Sequence, residues 1–455
     1  MRLFSKLLRN RNCRRQKKKE QEKKRAATVA ALKLYQAPAR EVLRRLEEND
    51  PTVVGWRITP DFGMARANDS AVHLDDLLLA MRANFTLKRL EISGKFVARL
   101  SLMEQYQFWH VLSSAEECFP NLTSICWTDF TSLPISVVTS LLKGRQQRER
   151  GLSYGLIEVE WSHVRLTGDL EVLRQVLKEH TSLRTIQTWD IGHRGEGAGN
   201  NNNMPQASSS QDRLLQILLN VQQLHVLSLG SFDFSYGQIS AIANALTCHK
   251  LKALRLRGAC STDQQPDENN LHHHQRPQAT TQTLDVQSCA ALANMLKVNT
   301  SLEKLELSNL QLLNTENNSD NNNEQQSGLV LMAQALQHHN RTLESFHLFQ
   351  FDLYCRHDMT NDENDALVAM LHDNHLLTSF LPHGCSRQAQ AQIEFYLKCN
   401  QRQLWGLHVD VNLSRAELVD DVLAPLAMEN RGDLDCIYHV LRDNPSSMAV
   451  TAAAL

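Results

Sequence analysis

A chain of 455 residues with 42% apolar and 22% charged side chains has the length to bury a large core and the polarity of a soluble protein. No apolar run approaches the roughly 18 residues of a membrane-spanning helix, so a transmembrane segment is excluded from the reading. Net charge is only −2, yet residues 1–40 hold fourteen Lys or Arg against Glu20 and Glu22, a balance of +12 that sets a basic arm before an acidic body.

Ten cysteines without a C-x-x-C pair, behind an N-terminus that lacks the apolar core of a secretory signal, imply free thiols in a reducing compartment. A cytoplasmic or nuclear location is therefore expected. Residues 1–35 are too charged to hold a core and read as a disordered arm or a solvated helix. Their run Arg14, Arg15, Lys17, Lys18, Lys19, Lys23, Lys24 and Arg25 fits several roles. These are a nuclear-import signal, attraction to nucleic acid, attraction to an anionic membrane with Leu3, Phe4, Leu7 and Leu8 dipping in, or a solubilising tail. No aromatics interleave the run, which speaks against sequence-specific binding of single strands.

Beyond the arm, one unit recurs. A helix over 39–48 leads to a first strand, Val53-x-x-Trp56-x-Ile58. Later strands begin at Leu87 (LKRLEI), Leu122 (LTSICW), Leu156 (LIEVEW), Leu183 (LRTIQT), Leu224 (LHVLSL), Leu251 (LKALRL), Leu302 (LEKLEL), Leu343 (LESFHL) and Leu377 (LTSFLP). Between them the apolar residues shift to helical spacing, at 170–178, 214–219, 239–246, 290–296, 329–336 and 366–371. Each such helix has one apolar face and needs a neighbour to cover it. Three polar low-complexity inserts, 192–212, 261–282 and 314–327, all follow a strand and precede a helix.

Asn84, Asn299 and Asn340 each head an N-x-S/T sequon at the same helix-to-strand corner. Turn geometry explains them better than glycosylation does, on the expectation that Asn there takes the left-handed conformation that ends a helix. After Cys385 the pattern changes: a closing helix over 389–399 and capped helices over 418–426 and 434–441 form a C-terminal cap spanning 386–445, with a tail at 446–455.

These ten L-x-x-L-x-L units, clearest at 302–307 and 251–256, resemble the leucine-rich-repeat family in its ribonuclease-inhibitor-like form. The resemblance covers residues 53–385 and implies an α/β fold: a leucine-rich-repeat solenoid (horseshoe) with a concave parallel sheet, convex helices and an α-helical C-terminal cap. The solenoid itself spans 36–385. The family places Asn or Cys three residues after the last strand Leu, whereas here Phe130, Val164, Ile191, Phe232, Leu310 and Phe351 stand there and only Cys385 fits. An apolar spine is therefore expected to replace a hydrogen-bonded ladder. A tetratricopeptide array shares the 34-residue period but has no strand, and LEKLEL or LKALRL is too short for a helix.

Catalytic chemistry finds little support. Gly151-Leu152-Ser153-Tyr154-Gly155 matches the G-x-S-x-G elbow of serine hydrolases, but a basic run precedes it and a strand follows, the reverse of what the elbow needs. The Gly-rich stretch 192–199 lacks a phosphate loop's Lys, and adjacent His272, His273 and His274 cannot all face one ion. His372 and His375 have no Cys at zinc spacing. The reading is of a non-enzyme without cofactor or metal.

Alternation then names the concave wall. With Leu305 and Leu307 inward, Lys304 and Glu306 point out. The same rule turns Arg89, Glu91, Glu158, Glu160, Gln187 and Trp189 outward. It also exposes Arg255, Arg257, His347 and Phe349. Arg255 and Arg257 suit acidic groups of a partner, Glu158 and Glu160 basic ones, and Trp189 with Phe349 would serve as anchors. The expected function is a non-enzymatic intracellular scaffold that binds another protein, of unknown identity, on this wall. The alternatives are a GTPase-activating regulator of a small GTPase, a role some members of the resembling family have, and an adaptor held to membrane or nucleic acid by the arm.

Overall fold

The computed structural model describes residues 39–59, 74–114, 118–145, 155–194, 207–232, 234–258, 282–312, 327–349, 359–382 and 384–401. The basic arm, the G-x-S-x-G serine, His272 to His274, Phe351, the helices expected at 418–426 and 434–441, and the tail lie outside them. The chain divides into two compact units, one through Phe232 and one from Asp233.

The first unit alternates helix and strand: α1 (Ala39–Glu47), β1 (Gly55–Ile58), α2 (Leu74–Ala83), β2 (Arg89–Ser93), the short α3 (Gly94–Val97) and α4 (Leu102–Ser113). It continues with β3 (Ser124–Pro134), α5 (Ile135–Gly144), β4 (Glu158–Thr167), α6 (Leu170–Glu179), β5 (Thr185–Arg194), α7 (Ala207–Leu219) and β6 (Val226–Phe232). Its six strands pair in parallel in chain order. The second unit holds α8 (Tyr236–Cys248), β7 (Ala253–Gly258), β8 (Gln282–Leu284), α9 (Val286–Val298), β9 (Lys304–Ser308) and β10 (Leu310–Leu312). Then come α10 (Gly328–His338), β11 (Ser345–Phe349), α11 (Asn361–Asp373), β12 (Ser379–Leu381) and α12 (Arg387–Gln401). Its main sheet runs β7-β9-β11-β12, all parallel.

All ten expected strands form, and each unit is a parallel strand-helix solenoid of leucine-rich-repeat type, the second ending in the expected closing helix α12. Two expectations about the inserts change. Strand β5 runs on to Arg194 and α7 begins at Ala207, so both ends of the insert at 192–212 are regular structure. Gln282, read as the end of a loop, begins a small second sheet of β8 paired with β10.

Why the units stack is visible in the strands' inward rows. In β9 the order of exposure is exposed, buried, half-buried, buried, buried, with Leu305 and Leu307 inside. Trp127 and Trp161 pair in register on β3 and β4, fully buried, with ring centroids 5.9 Å apart and planes 10° apart. Phe346 and Phe380 repeat that stack on β11 and β12 at 5.5 Å. Each fully buried side chain of this size contributes about 1.5–3 kcal/mol, and its cover comes from the adjoining repeat. Helix starts are closed by the side chains of Ser101, Asp169, Ser235, Asp285, Ser327 and Thr360, which accept backbone N–H bonds.

The two kinds of corner are built differently. At the strand-to-helix corner Asp129, His163, Asp190, Ser231 and Asn309 all have positive φ, between 48° and 60°. Each is followed by one of the buried apolar residues Phe130, Val164, Ile191, Phe232 and Leu310. The spine expected from the sequence is therefore present, and the left-handed residue before it makes the turn. Gly94 shows how tight this corner is: a Cβ there would lie 2.5 Å from the Asp129 carbonyl oxygen.

At the helix-to-strand corner a hydrogen-bonded ladder exists after all. Asn299 Nδ2 donates to the Leu246 carbonyl at 2.6 Å and its Oδ1 accepts from the Ser301 and Leu302 amides at 3.0 and 2.7 Å. Asn340 and Asn374 repeat this one rung on, donating to Leu296 at 2.8 Å and Leu336 at 2.7 Å, and Asn400 donates to the Asn374 and Leu377 carbonyls. In the first unit Asn84 does the same toward Leu46. The expected left-handed role is overturned: Asn299 (φ −74°, ψ 126°) and Asn374 (φ −96°, ψ 92°) are extended. What fixes Asn is that a short amide both closes its own turn and reaches the carbonyls that end the preceding helix. The ladder residues Asn84, Asn299, Asn340, Asn374 and Asn400 are all buried, so the amides of the three that head sequons, Asn84, Asn299 and Asn340, are already spent inside the fold.

Where a rung lacks Asn, another donor arrives. Phe119 and Val221 occupy the rung in two repeats of the first unit. Arg145, at the end of α5, donates to Leu112, Cys118 and Phe119 carbonyls at 2.8–3.1 Å. Gln223 donates to Leu177 at 3.1 Å and also to the His180 carbonyl.

Candidate functional site

The outward rows of the strands are where charge collects. In the first unit the register aligns Arg57, Glu91, Cys126, Glu160 and Gln187 across β1 to β5, with Arg89, Ser124 and Glu158 one row back. Arg57 Nε lies 2.6 Å from Glu91 Oε1. Arg89 reaches over β3 to Glu160 at 2.7 Å and stands 3.7 Å from Glu158, while Gln187 donates to Glu158 at 2.6 Å. The sequence-derived positions are thus brought together in adjoining rows: Arg89, Glu158, Glu160 and Gln187 form one cross-strand network, and Glu91 pairs beside it with Arg57.

Burial and charge within these rows pull on each other. Partial burial raises the Glu91 carboxyl above its usual range despite Arg57 beside it. Burial works against the Arg89 charge, but Glu160 and Glu158 more than offset it and hold its pKa up. Under the bridge Cys126 is 2% exposed, and burial, with Glu160 and Glu91 nearby, drives its thiol far above the normal range. It stays an uncharged thiol. Burial likewise pushes Cys289 up to about 12 and Cys385 up to about 11, so neither offers a thiolate. Among the described residues no group of three His, Cys, Asp or Glu is placed to hold a metal ion. No described helix is long and apolar enough to cross a membrane.

Trp189 sits differently from the expectation of an exposed anchor. It pairs in register with Gly230 of β6, and a Cβ on Gly230 would come within 2.5 Å of its Cε3. The indole lies over the glycine, which is why no side chain is tolerated there. Gly230→Ala is expected to lift the ring and cost about 1–2 kcal/mol of stability. The check is a red shift of tryptophan emission that vanishes when Trp189→Phe is added.

In the second unit Arg255 and Glu306 pair in register, Nε to Oε2 at 3.3 Å, and Arg257 lies 4.0 Å from the same carboxylate. Ser308 donates to Glu306 Oε1 at 3.1 Å. Lys304 is exposed beside them on β9. On β11 the His347 ring bridges Ser345 and Ser379 hydroxyls at 3.1 and 2.8 Å, and burial lowers its pKa, with Lys304 and Arg255 adding to the effect against Glu306. The backbone of Phe349 pairs with Ser308; its side chain is outside the described set. His372 and His375 face Asp373 and a backbone carbonyl, respectively.

Two features went unread in the sequence. On α4, Leu102, Met103 and Tyr106 are 85, 69 and 68% exposed, an apolar strip that the capped run Ser101-Leu102-Met103-Glu104 could have flagged. Between α8 and α9 an open, uncharged cleft of about 510 Å³ is lined by Ala243, Asn244, Ala290 and Asn294 among others.

No family profile and no curated protein matches the chain. Among the solved structures that show a likeness are two with low identity. Leiomodin-1 actin-binding site 2 is 14% identical, covering 43% of this chain and 90% of its own, with a TM-score of 0.30. The leucine-rich-repeat-containing protein LegL7 from Legionella pneumophila is 13% identical, covering 80% and 87%, with a TM-score of 0.35. The leucine-rich-repeat character of this chain rests on its own strand and helix order.

Proposed function

We propose that the chain is a non-catalytic protein-binding scaffold of ribonuclease-inhibitor-like repeat type that engages its partner through the outward strand rows, with the basic arm setting a cytoplasmic or nuclear location. Solenoids of this type leave an extended strand surface that no further repeat covers, and repeat proteins bind through such surfaces. The observation that carries the reading is the charge organisation of those rows. Arg89, Glu158, Glu160 and Gln187 are already held in place by one another, and Glu91 by Arg57, so a partner meets a preset pattern and little side-chain freedom is lost on contact.

Affinity capture with the intact protein, an Arg255→Glu, Arg257→Glu double variant and an arm deletion is the test. The reading expects the double variant to lose a partner that the arm deletion keeps. If both variants retain every partner, the strand rows are not the binding surface.

A further inference from the structure

The outward rows of the second unit carry an unequal charge. Among the described residues of these rows, Arg255, Arg257 and Lys304 stand on the adjacent strands β7 and β9 against the carboxylate of Glu306, an excess of two positive charges there. The described neighbouring positions on β11 and β12 add no further formal charge: the Ser345 and Ser379 hydroxyls, the exposed Leu381, and a His347 whose burial favours the neutral ring. At the strand starts Lys252 is paired with Glu303 at 2.7 Å and Glu344 is exposed, so the excess belongs to the outward rows.

Spacing says what would fit. Arg255 and Arg257 are two residues apart on one strand, which puts their side chains on the same face about 6.7 Å apart. An extended peptide carries its own i and i+2 side chains at that same pitch. A segment with acidic residues at alternate positions, lying along β7, therefore presents one carboxylate to each guanidinium, with Lys304 within reach of a third. Glu306 now occupies both arginines at once, at 3.3 and 4.0 Å. It acts as an internal competitor that an incoming carboxylate must displace.

We infer that the second unit's strand face docks an extended acidic peptide of another protein, with carboxylates at alternate positions held by Arg255, Arg257 and Lys304 and opposed by Glu306. This rests on the proposed role of the strand rows as the binding surface and adds the partner's chemistry.

A labelled synthetic peptide alternating Glu and Ser, titrated into the full-length chain and followed by fluorescence anisotropy, tests it. Lys17, Lys18, Lys19, Lys23 and Lys24 are changed to Gln throughout, to suppress binding by the arm. Arg255→Gln with Arg257→Gln should weaken binding about tenfold, the scale of two partly exposed ion pairs. Glu306→Gln should tighten it severalfold, a sign of change that general loss of structure would not give. An unchanged affinity in the double variant, or weaker binding in Glu306→Gln, overturns the inference. So does equal or tighter binding of a single-stranded oligonucleotide with the same arginine dependence, which would make the patch a nucleic-acid site. If the peptide fails to bind while the charge-reversed double variant still loses its captured partner, the acidic-peptide inference falls and the strand-face reading stands.

Discussion

Asn340→Ala is expected to lower the unfolding free energy by about 3 kcal/mol. The side chain is 1% exposed and makes four bonds: Nδ2 to the Leu296 and Asn299 carbonyls at 2.8 and 3.3 Å, and Oδ1 from the Thr342 and Leu343 amides at 3.1 and 2.8 Å. Each net bond is worth about 1 kcal/mol, and the amides left behind in a dry corner add a desolvation cost. Two of the four bonds cross to the preceding repeat, so the substitution strikes the coupling between neighbours on which a solenoid depends. Urea unfolding should show the loss and a shallower slope. Asn340→Asp is a sharper probe: the acceptor bonds survive, but a carboxylate then faces the Leu296 and Asn299 carbonyls. Its folded pKa must rise, so the penalty is full above that value and fades as pH falls toward the unfolded value of about 3.9. A loss below about 1 kcal/mol for the Ala variant, or a pH-independent Asp variant, would show that the ladder does not couple repeats.

The ladder also shows where the sequence was legible and where it was not. The strands could be read because Leu305 and Leu307, or Leu254 and Leu256, alternate with polar residues at a period no helix shares, and all ten fall where the spacing predicts them. The corner asparagines were visible too, three residues before Leu87, Leu302, Leu343 and Leu377. Their reason was not. It lies in the carbonyls of Leu46, Leu246, Leu296 and Leu336, which are 38 to 53 residues away in sequence and become neighbours only through stacking.

The candidate surface follows the same division. Alternation placed Arg89, Glu158 and Glu160 outward, a purely local inference. That Arg89 spans β3 to hold both glutamates depends on the register of three strands, with Arg89 and Glu160 71 residues apart in the chain. Trp189 was read as an exposed anchor because the alternation rule is blind to the adjoining strand. Gly230 opposite it turns the ring down onto the sheet. Partner charges assigned to Arg255 or Glu158 from the sequence alone thus overlooked competitors already in place, Glu306 for the first and Arg89 for the second.

Arg145→Met is expected to destabilise the first unit by about 3 kcal/mol, although it removes a buried charge that no carboxylate neutralises in the bonds described. Two effects oppose each other here. Arg145 is 3% exposed, and burial lowers its pKa, the mark of an unfavourable desolvation that Met would abolish. Against that, four bonds at 2.8–3.1 Å tie its planar fork to the Leu112, Cys118 and Phe119 carbonyls, two of them to Leu112 in the last turn of α4, where the helix dipole favours a cation. Bonds from a charged donor are worth about 1.5–3 kcal/mol each, so four outweigh the desolvation, even though the Phe119 carbonyl also accepts from the Leu122 amide at 2.9 Å. Arg145→Lys separates geometry from charge: a single ammonium cannot span three carbonyls, and recovery of less than half the loss is expected. Guanidinium unfolding of the three chains decides the matter. A Met variant as stable as the parent would mean that desolvation wins and that the first unit closes this corner by packing alone.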